Sequence, residues 1–320
     1  MKNSSKALLL GLLSAVFFSA TYILNKSMAL AGGDFLWSAS LRYILTLPMI
    51  IIIAFLSKGG KTLAKALWRD PKPWFIWGTV GFGFFYLFLT AAASISPAWL
   101  VAGTFQTTII AGLLISPFIY TDHRKFIPKK ALVATSVILL GILLSQFAEA
   151  NNAPLSDIFL GAILIIISAT LFPLGNRKIM LYQEKEHIKL NAIQRVAGMT
   201  IGSMPLWIIV SFFAYKRSGF PNSEMIFQSG MVALFSGIVA TILFFKATSM
   251  VNNQPTALGA VEATQSFEII ITLLIEVLFL NGALPSVYGF VGIMLIVLGM
   301  IYYSKASSSS GKYHIKPVIY

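Results

Sequence analysis

The sequence predicts an all-α polytopic membrane protein: ten transmembrane helices in two inverted five-helix repeats, with both termini on the cytoplasmic side. Three observations carry that prediction. The first is composition. Of 320 residues, 57% are hydrophobic and only 11% are charged, and the mean hydropathy is +0.81; soluble domains carry about a quarter charged residues. The second is where the basic residues fall around the apolar runs. The third is an internal repeat.

A spanning helix needs about 20 mostly apolar residues. The chain offers ten such runs, over 7–27, 35–56, 74–93, 97–119, 130–148, 157–176, 190–213, 226–248, 255–280 and 285–303. The first follows MKNSSK, as in a signal peptide. It is too long for one, however, and ends in Asn25-Lys26 without a small-residue cleavage site, so it reads as a retained span. The second holds Arg42 and Pro48, and the third a cluster of Gly78, Gly81 and Gly83. The fourth opens at Pro97 and carries Thr104, Gln106, Thr107 and Thr108. Pro173 lies in the sixth, Arg195 and Pro205 in the seventh, and the ninth opens at Pro255. These breakers permit kinks and close packing. Segment 58–73, with Lys58, Lys61 and Lys65 on one face, reads as a short interfacial helix or as a solvated basic loop beside anionic lipid. The tail 304–320 lacks periodicity and reads as flexible. The expected organisation is a first repeat over 1–150, a second over 151–303, and that tail.

Orientation follows from the bases. With the N-terminus inside, eighteen Lys and Arg fall in cytoplasmic segments, including Lys2, Lys6, Arg69, Arg124, Arg177 and Lys305. Outside fall only Lys26, Lys216 and Arg217. Such a bias is the positive-inside pattern. It also accounts for the net charge of +13, so nucleic acid is not the expected partner; the lipid bilayer is.

The repeat appears on shifting the chain by 158 residues, which places Pro97 on Pro255 and Gly141 on Gly299 without a gap. Gly11 and Ser19-Ala20-Thr21 correspond to Gly161 and Ser168-Ala169-Thr170, and Arg42 matches Arg195, at offsets near 150. Five spans per half is odd, so the second half enters the membrane upside down. Inverted repeats of this kind let a central site open to one side and then to the other.

The candidate functional residues are polar groups where the spans should be apolar. The ninth run alone holds Glu262, Glu268 and Glu276, of only eleven Asp and Glu in the chain. At about 100° per residue, Glu262, Gln265, Glu268, Thr272 and Glu276 share roughly one third of the helix circumference, so that face looks away from lipid. Ionisable groups at such depth mark substrate, ion or proton pathways, although cross-helix hydrogen bonds that only fix packing are the alternative. For Glu276, one turn from the outer end, simple contact with water is as good a reading. By depth alone, Arg195 would meet Glu262, and Arg42 would meet Glu268 or Glu276; both arginines could instead snorkel. Three span glutamates against two span arginines leave room for one carboxylate that carries a proton. Ser14, Thr21 and Asn25 form a second polar stripe, which reads first as packing glue. Tyr22, Tyr43, Tyr86, Trp37, Trp99 and Trp207 are candidates to line a cavity for apolar or cationic molecules.

Much is excluded. Without cysteine there is no disulfide, thiol chemistry or Cys-ligated metal, and His123, His187 and His314 all fall in polar segments. No Ser/His/Asp set, H-E-x-x-H or P-loop lysine is present, so the chain is not expected to be an enzyme, and neither a metal nor a cofactor is expected.

Several stretches resemble a known group. SLRYILTLPM, SPAWLVAGTFQTTIIAGLLISP, PLGNRKIM, AIQRVAGMT and AVEATQSFEIIITLLIEVLFL are similar to the bacterial multidrug resistance efflux transporter family of the drug/metabolite transporter superfamily, and the likeness extends to about residue 303. It implies a single-polypeptide, alternating-access carrier in the bacterial plasma membrane, working as a monomer or homodimer on a small-molecule substrate, of cationic or amphipathic character. Spans one to four and six to nine would surround the cavity, with five and ten peripheral. Glu262, Gln265, Arg42, Arg195, Asn176, Arg177 and Gln106 fall on motif positions. The first-span glutamate of the small four-span multidrug relatives is missing, and Ser14 stands in that region. The expected pathway residues are thus Glu262, Glu268, Gln265, Arg42, Arg195, Gln106, Asn25, Tyr43 and Trp37. The expected function is export of small organic solutes, with proton antiport as its drive. A channel, a lipid-flipping protein, or an amino acid-type metabolite exporter without proton coupling are the alternatives.

Overall fold

Every regular element in the described part of the chain is a helix, and no strand occurs there. The computed structural model describes residues 2–56, 60–149, 154–251 and 255–310. Helices α1 (Lys2–Leu30) and α2 (Phe35–Leu56) come first, followed by a short α3 (Gly60–Arg69). The next crossing is α4 (Pro71–Gly78), a π-helical stretch Thr79–Phe84, and α5 (Phe85–Ile95); the one after it is α6 (Ala98–Phe105) with α7 (Thr107–Ile119). Then come α8 (Lys129–Glu149), α9 (Leu155–Lys185) and α10 (Ala192–Ser218). A further crossing is α11 (Ser223–Val232), a second π-helical stretch Ala233–Ala240, and α12 (Thr241–Met250). The last elements are α13 (Pro255–Ala263), a 3₁₀ turn Thr264–Ser266, α14 (Phe267–Phe279) and α15 (Val287–Ser310).

Nine helices among the described residues are long and apolar enough to cross a membrane. The run expected over 255–280 is not among them; it carries three glutamates and is divided into α13 and α14. Thr264 and Ser266 turn their hydroxyls back onto the carbonyls of Val261 and Ala263, at 2.6 and 2.7 Å, and the backbone tightens between the two pieces. A similar break occurs at Gln106, between α6 and α7, where Thr107 bonds the Thr104 carbonyl at 2.7 Å. Gln106 and Thr264 are equivalent under the 158-residue shift. The two π-helical stretches are likewise separated by about half the chain.

The packing follows the same rule. α1 packs on α11–α12 and on α13–α14; α9 packs on α4–α5 and on α6–α7. α2 pairs with α10, and α8 with α15. Exchanging the halves maps each of these neighbourhoods onto another or onto itself. The seam between α8 and α15 is set by small residues: a Cβ on Gly141 would lie 2.6 Å from the carbonyl oxygen of Gly292, and one on Gly292 the same distance from that of Gly141. Only bare backbone fits there. Around the perimeter, large apolar side chains such as Ile52, Phe118, Phe159 and Ile208 stand exposed, as contact with lipid tails requires.

One open reading of the connections is decided, and one expectation is corrected. Segment 58–73 is a helix over Gly60–Arg69, because Leu63 and Ala66 find a buried seat beside Ile50, Ala54 and Ala197. Lys58 lies outside the described residues. The tail expected to be flexible from 304 continues α15 through Ser310, with Ser304 and Ala306 buried; residues 311–320 lie outside the described part.

Candidate functional site

A cavity of about 690 Å³ lies between the two halves. Its polar wall comes from the divided run α13–α14: Glu262 on α13, Gln265 in the 3₁₀ turn, and Glu268 on α14. Opposite stand Arg42, Tyr43 and Thr46 of α2, and Gln106 at the α6–α7 break. α9 contributes Asn176 and Arg177, and aromatic rings from several helices, among them Phe18, Phe105, Phe172 and Phe244, complete the wall. α8 contributes nothing to the lining, as the resemblance implied for the fifth span. α15 departs from that expectation: Met300, Tyr303 and Ser304 reach the cavity. A second recess of about 620 Å³, between Leu36, Leu87 and Phe213, is apolar and lies away from the carboxylates.

Six of the nine expected pathway residues therefore share one cavity: Glu262, Glu268, Gln265, Arg42, Gln106 and Tyr43. Three do not line it. Trp37 donates its indole N–H to the Gly219 carbonyl at 2.9 Å and packs with Met28, Leu41, Ala214 and Met225. Asn25 is buried behind the wall, where its amide donates to the Tyr86 hydroxyl at 2.8 Å. Arg195 sits near the start of α10.

The depth-based pairings are overturned. Among the described residues no ion pair joins Arg42 or Arg195 to Glu262, Glu268 or Glu276. Arg42 lies over the Tyr86 ring, its guanidinium carbon 4.0 Å from the ring centroid, and donates to Ser236 at 3.3 Å. Ser236 also accepts from Thr21 at 2.6 Å. Glu268 is buried and hydrogen-bonded to Tyr22. Glu276, which could have reached water, is instead buried and accepts the backbone N–H groups of Ala98 and Trp99, at 2.8 and 2.9 Å. Those are the first two donors of α6, which intrahelical bonding leaves free.

Gln265 ties the break to α1, donating to Ser14 at 3.0 Å and to Thr264 at 3.2 Å. Ser14, Thr21 and Asn25, the second polar stripe, are all buried, and Thr21 also lines the cavity. Arg177 bonds the Gly112 carbonyl and the Ser116 hydroxyl. Ser236, Phe244 and Tyr303 were not foreseen. Nothing in their local sequence marks them, since their contacts join segments far apart in the chain.

Most of the lining lies in the half of the bundle nearer the start of α1 and the end of α15. In the other half, where the second recess opens at Leu36 and Phe213, the centre is packed. There Tyr43 stacks on Trp207, centroids 4.9 Å apart and planes 10° from parallel, and Asp34 pairs with Arg217 at 3.3 Å. At the cavity end, Arg124 is gripped by Asp122 at 2.7 Å and Glu184 at 2.9 Å; these two carboxylates hold its guanidinium pKa above the ordinary arginine value.

Comparison with known proteins agrees with this architecture. The uncharacterized protein YjlA of Bacillus subtilis (strain 168) is 39% identical over 311 residues, covering 94% of this chain and 95% of its own. An uncharacterized 42.1 kDa protein from Shouchella clausii, encoded in the 3' region of an intracellular alkaline protease, is 39% identical over 269 residues, covering 82% of this chain and 70% of its own. A crystal structure of another protein shares the fold with a TM-score of 0.59 at 16% identity, over 93% of this chain and 96% of that one. The EmrE multidrug resistance efflux transporter family model matches residues 5–309. With that match spanning nearly the whole chain, the protein belongs to the EmrE multidrug resistance efflux transporter family of the drug/metabolite transporter superfamily.

Proposed function

We propose that this chain is an alternating-access secondary transporter that exports small organic solutes across the bacterial plasma membrane in exchange for protons. The observation that carries the reading is Glu262 and Glu268 facing one cavity of about 690 Å³ with no cation paired to either among the described residues. Carboxylates placed in that way can exchange protons with water entering the cavity, and bind a solute in their place. The chain would cross the membrane ten times, as an inverted pair of repeats over 1–150 and 151–303, with both termini cytoplasmic. The matching helix breaks and the exchangeable packing support the repeat, and the distribution of Lys and Arg supports the orientation. In that orientation the cavity lies on the cytoplasmic side of the packed centre, where an exporter collects its solute. One chain encloses it, so a monomer suffices. No chemical step on the solute is assigned.

A second reading, an exporter of amino acid-type metabolites without proton coupling, is favoured by one feature. Arg42 and Arg177 line the same cavity as the two glutamates, a balance that suits a zwitterion. Purified protein in liposomes with an imposed pH gradient separates these readings, screened over amino acids, polyamines and cationic dyes. Proton flux that appears only with substrate and is lost in Glu262→Gln supports the antiporter. Substrate-free proton or ion leak in the wild type sinks the carrier. Saturable uptake indifferent to the gradient keeps the carrier and removes the coupling.

A further inference from the structure

Helix α3 links two membrane-crossing helices, and its two faces differ sharply. Leu63 is fully buried and Ala66 is 6% exposed; they sit against Ile50, Ala54, Ala197 and Ile238. At about 100° per residue, Lys61, Lys65 and Trp68 fall within roughly 60° of one another on the opposite side. Both lysines are exposed, and Trp68 is 91% exposed, the most of any large hydrophobic residue in the described part of the chain. Nothing in the local packing requires a tryptophan there. Phe55 and Leu56, at the end of α2 just before it, are also exposed.

What covers this face is constrained by where it lies and by its charge. α3 joins α2 to the crossing that begins with α4, so it must run at the edge of the hydrocarbon layer. An indole with one apolar body and one N–H belongs at that boundary. Lysines beside it meet phosphate if the lipid is anionic. No acidic residue occurs in α3, and Lys72 continues the exposed basic line just beyond it. Arg69 is exposed as well, and its charge is partly answered by Glu186 at 3.1 Å. A second copy docked on this face would bring like charges together, which opposes self-association.

We propose that the Lys61–Lys65–Trp68 face of α3 is a binding surface for anionic phospholipid: the indole enters the headgroup boundary and the two lysines hold the phosphates. The surface is separate from the central cavity and does not depend on what the cavity transports. Its buried side rests on α2 and α10, and Arg69 joins it to Glu186 just past α9. Lipid held here therefore braces three helices at one end of the bundle.

The test uses the full chain in phosphatidylcholine vesicles carrying a minor fraction of brominated lipid, either phosphatidylglycerol or phosphatidylcholine. Brominated phosphatidylglycerol is expected to quench tryptophan emission more strongly than brominated phosphatidylcholine at the same fraction. That excess should vanish in Trp68→Phe. It should fall about fivefold per lysine removed in Lys61→Gln and Lys65→Gln at low salt, and shrink in the wild type as salt is added. All three side chains are exposed, so the variants keep the core; thermal unfolding in plain phosphatidylcholine should match the wild type. Equal quenching by the two lipids in the wild type, or an excess that survives Trp68→Phe or both lysine substitutions, overturns the proposal.

Discussion

Glu276 accepts the backbone N–H of Trp99 at 2.9 Å, and that bond joins the far end of α14 to the first turn of α6. With the companion bond to Ala98, one carboxylate serves two donors across 177 residues of sequence or more. It is an N-terminal cap supplied by another helix. Glu276→Ala is expected to lower stability by about 1–2 kcal/mol. Glu276→Gln keeps one acceptor and should lose less. Thermal unfolding of the detergent-solubilised variants measures both, and equal stability of all three proteins would refute the capping role.

Glu262 should behave in the opposite way. It opens into the cavity and makes no ion pair among the described residues, so Glu262→Gln is expected to leave unfolding within about 0.5 kcal/mol of wild type, while abolishing substrate-dependent proton flux. A Glu262→Gln variant that unfolds as easily as Glu276→Ala would show that its role is structural.

The Tyr86 ring has two separable jobs. Its hydroxyl accepts from Asn25, and its face lies under Arg42. Tyr86→Phe removes the first and keeps the second. It leaves a buried amide donor unpaired, at a cost of about 1–3 kcal/mol. Arg42→Lys does the reverse: it loses the flat stacked cation and should alter transport more than stability. Unfolding and uptake measured on both variants should show the two effects falling on different proteins.

Glycines offer a sharp contrast in packing. A Cβ on Gly202 would lie 2.1 Å from the Trp74 carbonyl oxygen, a backbone atom that cannot rotate away. A Cβ on Gly230 would meet only Leu45, at 3.7 Å. Gly202→Ala should therefore destabilise by about 1–3 kcal/mol or more, and Gly230→Ala, in the helix α11, should be neutral or stabilising by up to about 1 kcal/mol. The order of their unfolding temperatures is the check.

What could be read from the sequence depended on how local the cause was. Apolar runs of membrane length are local, and nine of the expected ten appear among the described residues as helices long and apolar enough to cross a membrane. The shared face of Glu262, Gln265 and Glu268 follows from helical spacing, and all three do line the cavity. Electrostatic pairing is not local. Depth along the membrane suggested arginine–glutamate contacts, but Tyr22, Tyr86 and Ser236 stand between the charges and satisfy them separately. Trp37 shows the same limit. An indole near a helix end reads equally well as cavity wall or packing residue, and only its bond to Gly219, 182 residues away, decides. For segment 58–73, the choice between loop and helix turned on Leu63 and Ala66 finding a seat built from α2 and α10, which no local pattern reveals.

The helix breaks at Gln106 and Thr264 occupy equivalent places, yet the residues around them are not equivalent. Under the same shift, Glu262, Glu268 and Glu276 correspond to Thr104, Ile110 and Phe118. The main helix neighbourhoods exchange when the halves are exchanged, but the acidic wall does not. For the exporter proposed above, direction would then reside in a few side chains rather than in the scaffold. A handful of substitutions moving acid from one half to the other, without touching the helices, would ask whether that exporter can be made to run backwards.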